Sequence, residues 1–224
     1  MSFAKISLGA GLTLVVASLL SACTPLMQAS GDTFKAALAG PVPLKLSREQ
    51  VQSVPYDQLL LDTRFGSAVL VLGRVEDGQQ FWASASGQVL VAEHGLVRRT
   101  TGFPENLEGT HFVGSNPFAS GLHRLPDGAT AERIVDWGPG YRYGVRLHSR
   151  FQQLGRERIE VLGEAVEVLA IREQWTAPAA GLSGSNRHWV DPRDGTVLKS
   201  EQQLTSDLRV TLTALRLSPG SRLQ

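Results

Sequence analysis

Cysteine is the scarcest reactive residue in this chain of 224 residues: Cys23 stands alone, beside two methionines and an aromatic content of only 7%. One cysteine excludes an intrachain disulfide, so the fold must rest on its core. Charge of one sign is also scarce. There are 22 Lys and Arg against 21 Asp and Glu, with no run of like charges, which removes the electrostatic footprint of a nucleic-acid-binding protein. An apolar stretch of membrane-spanning length is missing too. The run 6–20 covers 15 residues, short of the ~20 that a helix needs to cross a bilayer. Close-spaced metal ligands are absent. His94, His111, His123, His148 and His188 are scattered, without an H-E-x-x-H arrangement. A metal site is therefore unsupported, no cofactor is expected, and the histidines read as surface or hydrogen-bonded residues.

What is present begins with a leader. Lys5 supplies a positive start, 6–20 an apolar run with small residues, and Leu20-Ser21-Ala22-Cys23 a lipobox. Cleavage before Cys23 makes 1–22 a lipoprotein signal peptide and Cys23 the lipid-attachment residue. The alternatives are a transmembrane anchor, for which the run is too short, and an ordinary signal that leaves a reactive free thiol. Removing 1–22 costs one basic residue, Lys5, and no acidic one, so the mature chain is neutral. Acyl chains contribute about 0.8 kcal/mol per buried CH₂, enough for two or three to hold the protein on a membrane. Thr24 follows the cysteine instead of the Asp that favours inner-membrane retention in bacterial lipoproteins, which points to the outer membrane.

Residues 23–46 read as a tether broken by Pro25, Gly31 and Gly40-Pro41-Val42-Pro43. Ser47-Arg48-Glu49-Gln50 is a capping-box pattern that predicts a short helix, limited by Pro55. From Tyr56 onward, short β-prone runs alternate with Asp77-Gly78, Ser86-Gly87 and His94-Gly95. Turns at 8–12-residue spacing predict an antiparallel barrel or sandwich. Pro104, Asn116-Pro117, Pro126 and Pro139-Gly140 predict at least one long loop within 103–140. Tyr141, Tyr143, Val145 and Leu147 then alternate as a half-buried strand does. For 164–175 a helix is the rival to a strand; the β-branched residues and Gly163 favour the strand. Asp191 to Gly195 form a hairpin loop, and the parity change between Leu212 and Leu215 suggests a bulge. The fold class is mainly β: one antiparallel domain, 47–224, with a short N-terminal helix and a lipid-anchored tether.

Chemistry is harder to find. Leu182-Ser183-Gly184-Ser185 fails the spacing of a nucleophile elbow and reads as a flexible loop. Glu160, Glu164, Glu167 and Glu173 could supply a glycosidase pair only across a cleft, and solvated strand faces account for them more simply. Trp82, Trp175 and Trp189 fall on strands, where core packing is the default. Trp137, in the turn-rich Asp136-Trp137-Gly138-Pro139-Gly140-Tyr141, is with Tyr141 a candidate interaction loop. Arg98-Arg99 could meet an acidic partner but suit a paired or solvated strand edge better.

Together, the lipobox, Gln50 to Tyr56, Val69 to Leu72, Phe81 to Ala85, Gly95 to Leu107 and Trp189 to Val197 before Ser200-Glu201-Gln202 resemble the YjbF/GfcB family of capsule-associated lipoproteins. The resemblance implies a mainly antiparallel β domain anchored by lipid at the periplasmic face of the outer membrane. It implies a role in making or exporting capsular or extracellular polysaccharide; the anchor, the β pattern and the missing catalytic motif make a non-enzymatic accessory the first expectation. The implied partners are an outer-membrane β-barrel protein and a periplasmic export partner. It supplies no catalytic residues. Asn186-Arg187-His188 departs from the family pattern, being basic and polar where an aromatic approach to Trp189 is expected. Two other readings remain open: a carrier of a lipid or glycan, which needs a large cavity, and a glycan-modifying enzyme, which needs converging carboxylates.

Overall fold

The computed structural model describes residues 44–221. Cys23, the signal peptide and the tether up to residue 43 lie outside the described residues. The described chain opens with helix α1 (Arg48–Gln52). Its capping box forms as the sequence predicts: Gln50 N–H donates to Ser47 Oγ at 3.3 Å, and Ser47 N–H to Gln50 Oε1 at 2.8 Å. These two bonds satisfy amides that a short helix leaves unpaired.

The strands follow as β1 (Gln58–Thr63), β2 (Gly66–Glu76), β3 (Gln79–Ser84), β4 (Val89–Glu93), β5 (Leu96–Thr101) and β6 (Leu107–Val113). After them come β7 (Thr130–Trp137), β8 (Arg142–Val161), β9 (Glu164–Ala177), β10 (Leu182–Val190), β11 (Val197–Gln203) and β12 (Arg209–Arg216). All pair antiparallel in one 12-stranded sheet, ordered 5-4-3-2-1-12-11-10-9-8-7-6. The first and last strands pair, Leu61 opposite Leu212. The sheet therefore curls into a nearly closed barrel whose seam falls between β5 and β6. Leu215 is the extra residue of a bulge opposite Gln58 and Leu59, where the parity change lies.

Tight turns set the hairpins. Asp77 and Gly78 both have positive φ, 49° and 77°, the left-handed twist that matches the flanking strands. The rival helix at 164–175 does not form, because β9 pairs with β8 on one side and β10 on the other. Residues 182–185 are also strand: β10 starts at Leu182, correcting the flexible-loop expectation. Gly184 is why this strand can pass, since it lies opposite Trp175 and a Cβ there would come within 2.4 Å of the indole. We expect Gly184→Val to lower the unfolding midpoint in urea by the equivalent of about 1–3 kcal/mol. An unchanged midpoint would show that the indole moves aside freely.

The interior is filled. Leu70, Trp82, Leu90, Phe118, Phe151 and Leu208 are all at most 1% exposed. Phe118 comes from the loop between β6 and β7, the long loop expected within 103–140, which turns inward and plugs the barrel. The β8–β9 hairpin curls back over the outside. Its strand β8 touches β12, four places away in the sheet, and Arg48 on α1 pairs with Glu164 at 2.6 Å. Under this curl, Val168, Ala170 and Trp189 form a second, outer cluster. Neighbouring residues of β9 therefore serve opposite faces.

Candidate functional site

Where apolar side chains line one face of a strand, a polar residue at the same parity is carried inside. Ile171, Glu173 and Trp175 share the inner face of β9; Leu147, Ser149 and Phe151 that of β8. Asn186, His188 and Val190 do so on β10. Arg133, on β7, completes the set.

These residues converge on Glu173, whose side chain is 0% exposed. Ser149 Oγ donates to Oε1 at 2.6 Å and Asn186 Nδ2 to Oε2 at 2.7 Å. Arg133 Nη2 lies 3.2 Å from Oε1. His188 Nε2 is 3.8 Å from Oε2 and packs edge-on against Phe118, ring centroids 5.1 Å apart. Burial alone would raise the Glu173 pKa; the Arg133 charge, with His188 and the Ser149 hydroxyl, overcomes that and holds it at about 2. The carboxylate is thus kept ionised, with acceptors engaged on both oxygens. A general acid or base needs a pKa near the working pH, so Glu173 is suited to holding the network and not to moving protons.

The network borders the seam, where the sheet lacks a ladder. Gln202, on β11, holds the open edge strand from across the interior: its Oε1 accepts from Val97 N–H at 3.0 Å, and its Nε2 donates to Gly95 C=O at 2.9 Å. Thr100 Oγ1 accepts from Leu107 N–H at 2.9 Å, tying β5 to the start of β6. Arg98 pairs with Glu93 at 2.8 Å, the paired edge that the sequence favours.

The other candidates separate. Trp137 is not in an interaction loop. It ends β7, is 4% exposed and donates its indole N–H to Leu204 C=O at 2.6 Å, with Trp175 beside it. Tyr141 is the opposite, 83% exposed. Trp82, Trp175 and Trp189 are buried as expected. Glu160, Glu164 and Glu167 are exposed on the curled hairpin, while Glu173 is inside the barrel, so the solvated-face reading fails for Glu173 alone. The sequence places the histidines at surface or hydrogen-bonded positions; His188 is not at the surface but fully buried beside Glu173. Asn186-Arg187-His188 is strand: Asn186 and His188 face the network, and Arg187 faces outward over the Trp189 ring at 4.8 Å. No metal-binding cluster occurs among the described residues.

Comparison with known proteins gives one consistent family. Residues 31–215 match the family described as group 4 capsule polysaccharide lipoprotein gfcB, YjbF. The uncharacterized lipoprotein GfcB of Escherichia coli (strain K12) is 28% identical over 208 residues, 92% of this chain and 97% of that protein. The uncharacterized lipoprotein YjbF of the same organism is 26% identical, over 90% of this chain and 94% of that protein. The crystal structure of the hypothetical lipoprotein YmcC from E. coli K12 superposes with a TM-score of 0.71 at 27% identity. That match covers 84% of this chain and 96% of YmcC.

Proposed function

Since the chain belongs to the YjbF/GfcB family of group 4 capsule polysaccharide lipoproteins, we propose that it is a non-enzymatic accessory of capsular or extracellular polysaccharide production or export. It is anchored through Cys23 to the outer membrane and faces the periplasm. There it works beside an outer-membrane β-barrel protein and a periplasmic export partner. The observation that carries the non-enzymatic part is the filled barrel with its saturated carboxylate. Glu173 has no exposure and, among the described residues, its bonded and charged partners are Ser149, Asn186, Arg133 and His188 rather than a second carboxylate, whereas glycoside hydrolysis needs two across an open cleft.

The same filling disfavours a carrier that encloses its ligand inside the barrel. The two spaces lined by inward side chains hold about 50 Å³ and about 20 Å³, far below the ~300–1,000 Å³ of a typical ligand site. Water fits them; an acyl chain does not.

Deleting the gene should lower extracellular polysaccharide while leaving cytoplasmic sugar-nucleotide pools intact. Complementation by the wild-type chain should restore the polymer. Cys23→Ala should instead accumulate as a larger, unacylated precursor and fail to restore it. Unchanged polymer in the deletion strain overturns the function, and a normally cut, acylated Cys23→Ala product overturns the anchor.

A further inference from the structure

We propose that the outer face of β7–β9 is a binding groove for an acidic saccharide chain, with Arg150 and Arg172 as its anionic-group contacts; this rests on the polysaccharide role proposed above. A groove of about 650 Å³ lies on this face, many times larger than either space inside the barrel. Most of its floor comes from the outward residues Thr130, Glu132, His148, Arg150, Gln174 and Thr176 of three paired strands. Thr130 lies opposite Arg150, and Arg150 opposite Gln174. Arg172 lies just beyond the groove's lining, two residues before Gln174 on the same outer face of β9, opposite Gln152 on one side and Arg187 on the other, so it stands at the groove's end.

The charges do not cancel here, although the mature chain is neutral. The acid on this part of the face, Glu132, is engaged by Arg146 and by His148, the latter at 3.7 Å. Arg187 is engaged by Glu157 at 2.8 Å. Arg150 and Arg172 form no ion pair among the described residues. Two arginines directly opposite on neighbouring strands, Arg172 and Arg187, repel unless an anion or an acid lies between them. Only one of the two has such an acid.

The rest of the groove suits sugar hydroxyls. Thr130, Gln174 and Thr176 each offer both a donor and an acceptor, and guanidinium groups bind carboxylates in a two-pronged fashion. An anionic bilayer is the competing surface for such cations. It is disfavoured because membrane-docking faces add apolar residues to basic ones, and Val113 is the one large exposed aliphatic residue on this groove.

The test uses the full-length chain in detergent, titrated with polygalacturonate, with neutral dextran, and with phosphatidylglycerol vesicles. Polygalacturonate should bind, more weakly as salt rises, and dextran should not. The double reversal Arg150→Glu with Arg172→Glu should weaken polygalacturonate binding about tenfold or more. Reversal of Arg64 and Arg99, exposed cations elsewhere on the barrel, should change it less than about twofold. Thermal unfolding of both doubles should match wild type, since the changed side chains point outward. Equal loss in the two doubles, binding to vesicles but not to polymer, or no polymer binding at low salt overturns the groove. A lost groove with an intact deletion phenotype removes this site and leaves the proposed function standing; an absent phenotype removes the function itself.

Discussion

Glu173→Gln lowers the thermal midpoint by on the order of 10 °C at neutral pH. The substitution keeps the size of the side chain and an oxygen for Ser149, but removes the charge that neutralises Arg133. The Arg133 side chain is only 5% exposed, so its guanidinium is left as an uncompensated buried cation. Breaking one partner of such a pair costs about 3–5 kcal/mol, and each kcal/mol shifts the midpoint of a domain this size by about 2–4 °C. The pH dependence identifies the group. Glu173 titrates at about 2 in the folded chain, against an ordinary value of 4.5. A depressed pKa contributes stability that is complete above the unfolded value and is lost as the pH falls through the folded one. The gap between wild type and Glu173→Gln in urea midpoints should therefore be full at neutral pH and shrink steadily from about pH 5 towards pH 2. A gap that stays constant across that window assigns the effect to shape and not to charge.

Phe118→Ala destabilises by about 3–5 kcal/mol, the range for truncating a buried aromatic side chain. Phe118 is 1% exposed. It meets Phe151 and Phe112 at centroid distances of 6.1 and 6.0 Å, and His188 at 5.1 Å. Because it belongs to a loop, its loss also frees the plug. Limited proteolysis should then cut within 114–129 at native pH, where the wild-type chain resists. The loop is held at its other end too, since Gly195 lies against the His123 ring so closely that a Cβ would come within 2.1 Å of Nδ1. Loss of stability without new cleavage in 114–129 means that the loop keeps its place through the His123–Gly195 contact alone.

The two losses converge on one region. Phe118 covers His188, which stands beside Glu173, so the plug also seals the network from water. In a dry surrounding the Glu173–Arg133 attraction is strong, and an unpaired member is correspondingly costly. The two substitutions should therefore be non-additive, as residues in contact usually are.

Much of this was legible in the chain. Ser47 and Gln50 announce α1, Asp77-Gly78 and His94-Gly95 announce hairpins, and the parity change before Leu215 announces the bulge. Each is a local signal, carried by two or three adjacent residues with a known backbone preference. The network was half legible. Glu173 stands two residues from Ile171 and two from Trp175, and Ser149 two from Leu147 and two from Phe151, so alternation already assigns both to an apolar face. Nothing in the spacing says that these faces meet Arg133 and Asn186. Trp137 misleads for the opposite reason: its glycine- and proline-rich surroundings describe the turn after it, while its indole belongs to the strand before it.

By itself the sequence determined the helix cap, the β grammar and the family resemblance, all of which depend on residues close together in the chain. Tertiary structure alone decided that β1 pairs with β12, that Gln202 of β11 ties down Gly95 and Val97, and that Glu173 is ionised inside the barrel. Those contacts join residues far apart in sequence. Their energies come from burial and from partners delivered by other strands, and these exist only once the sheet has curled.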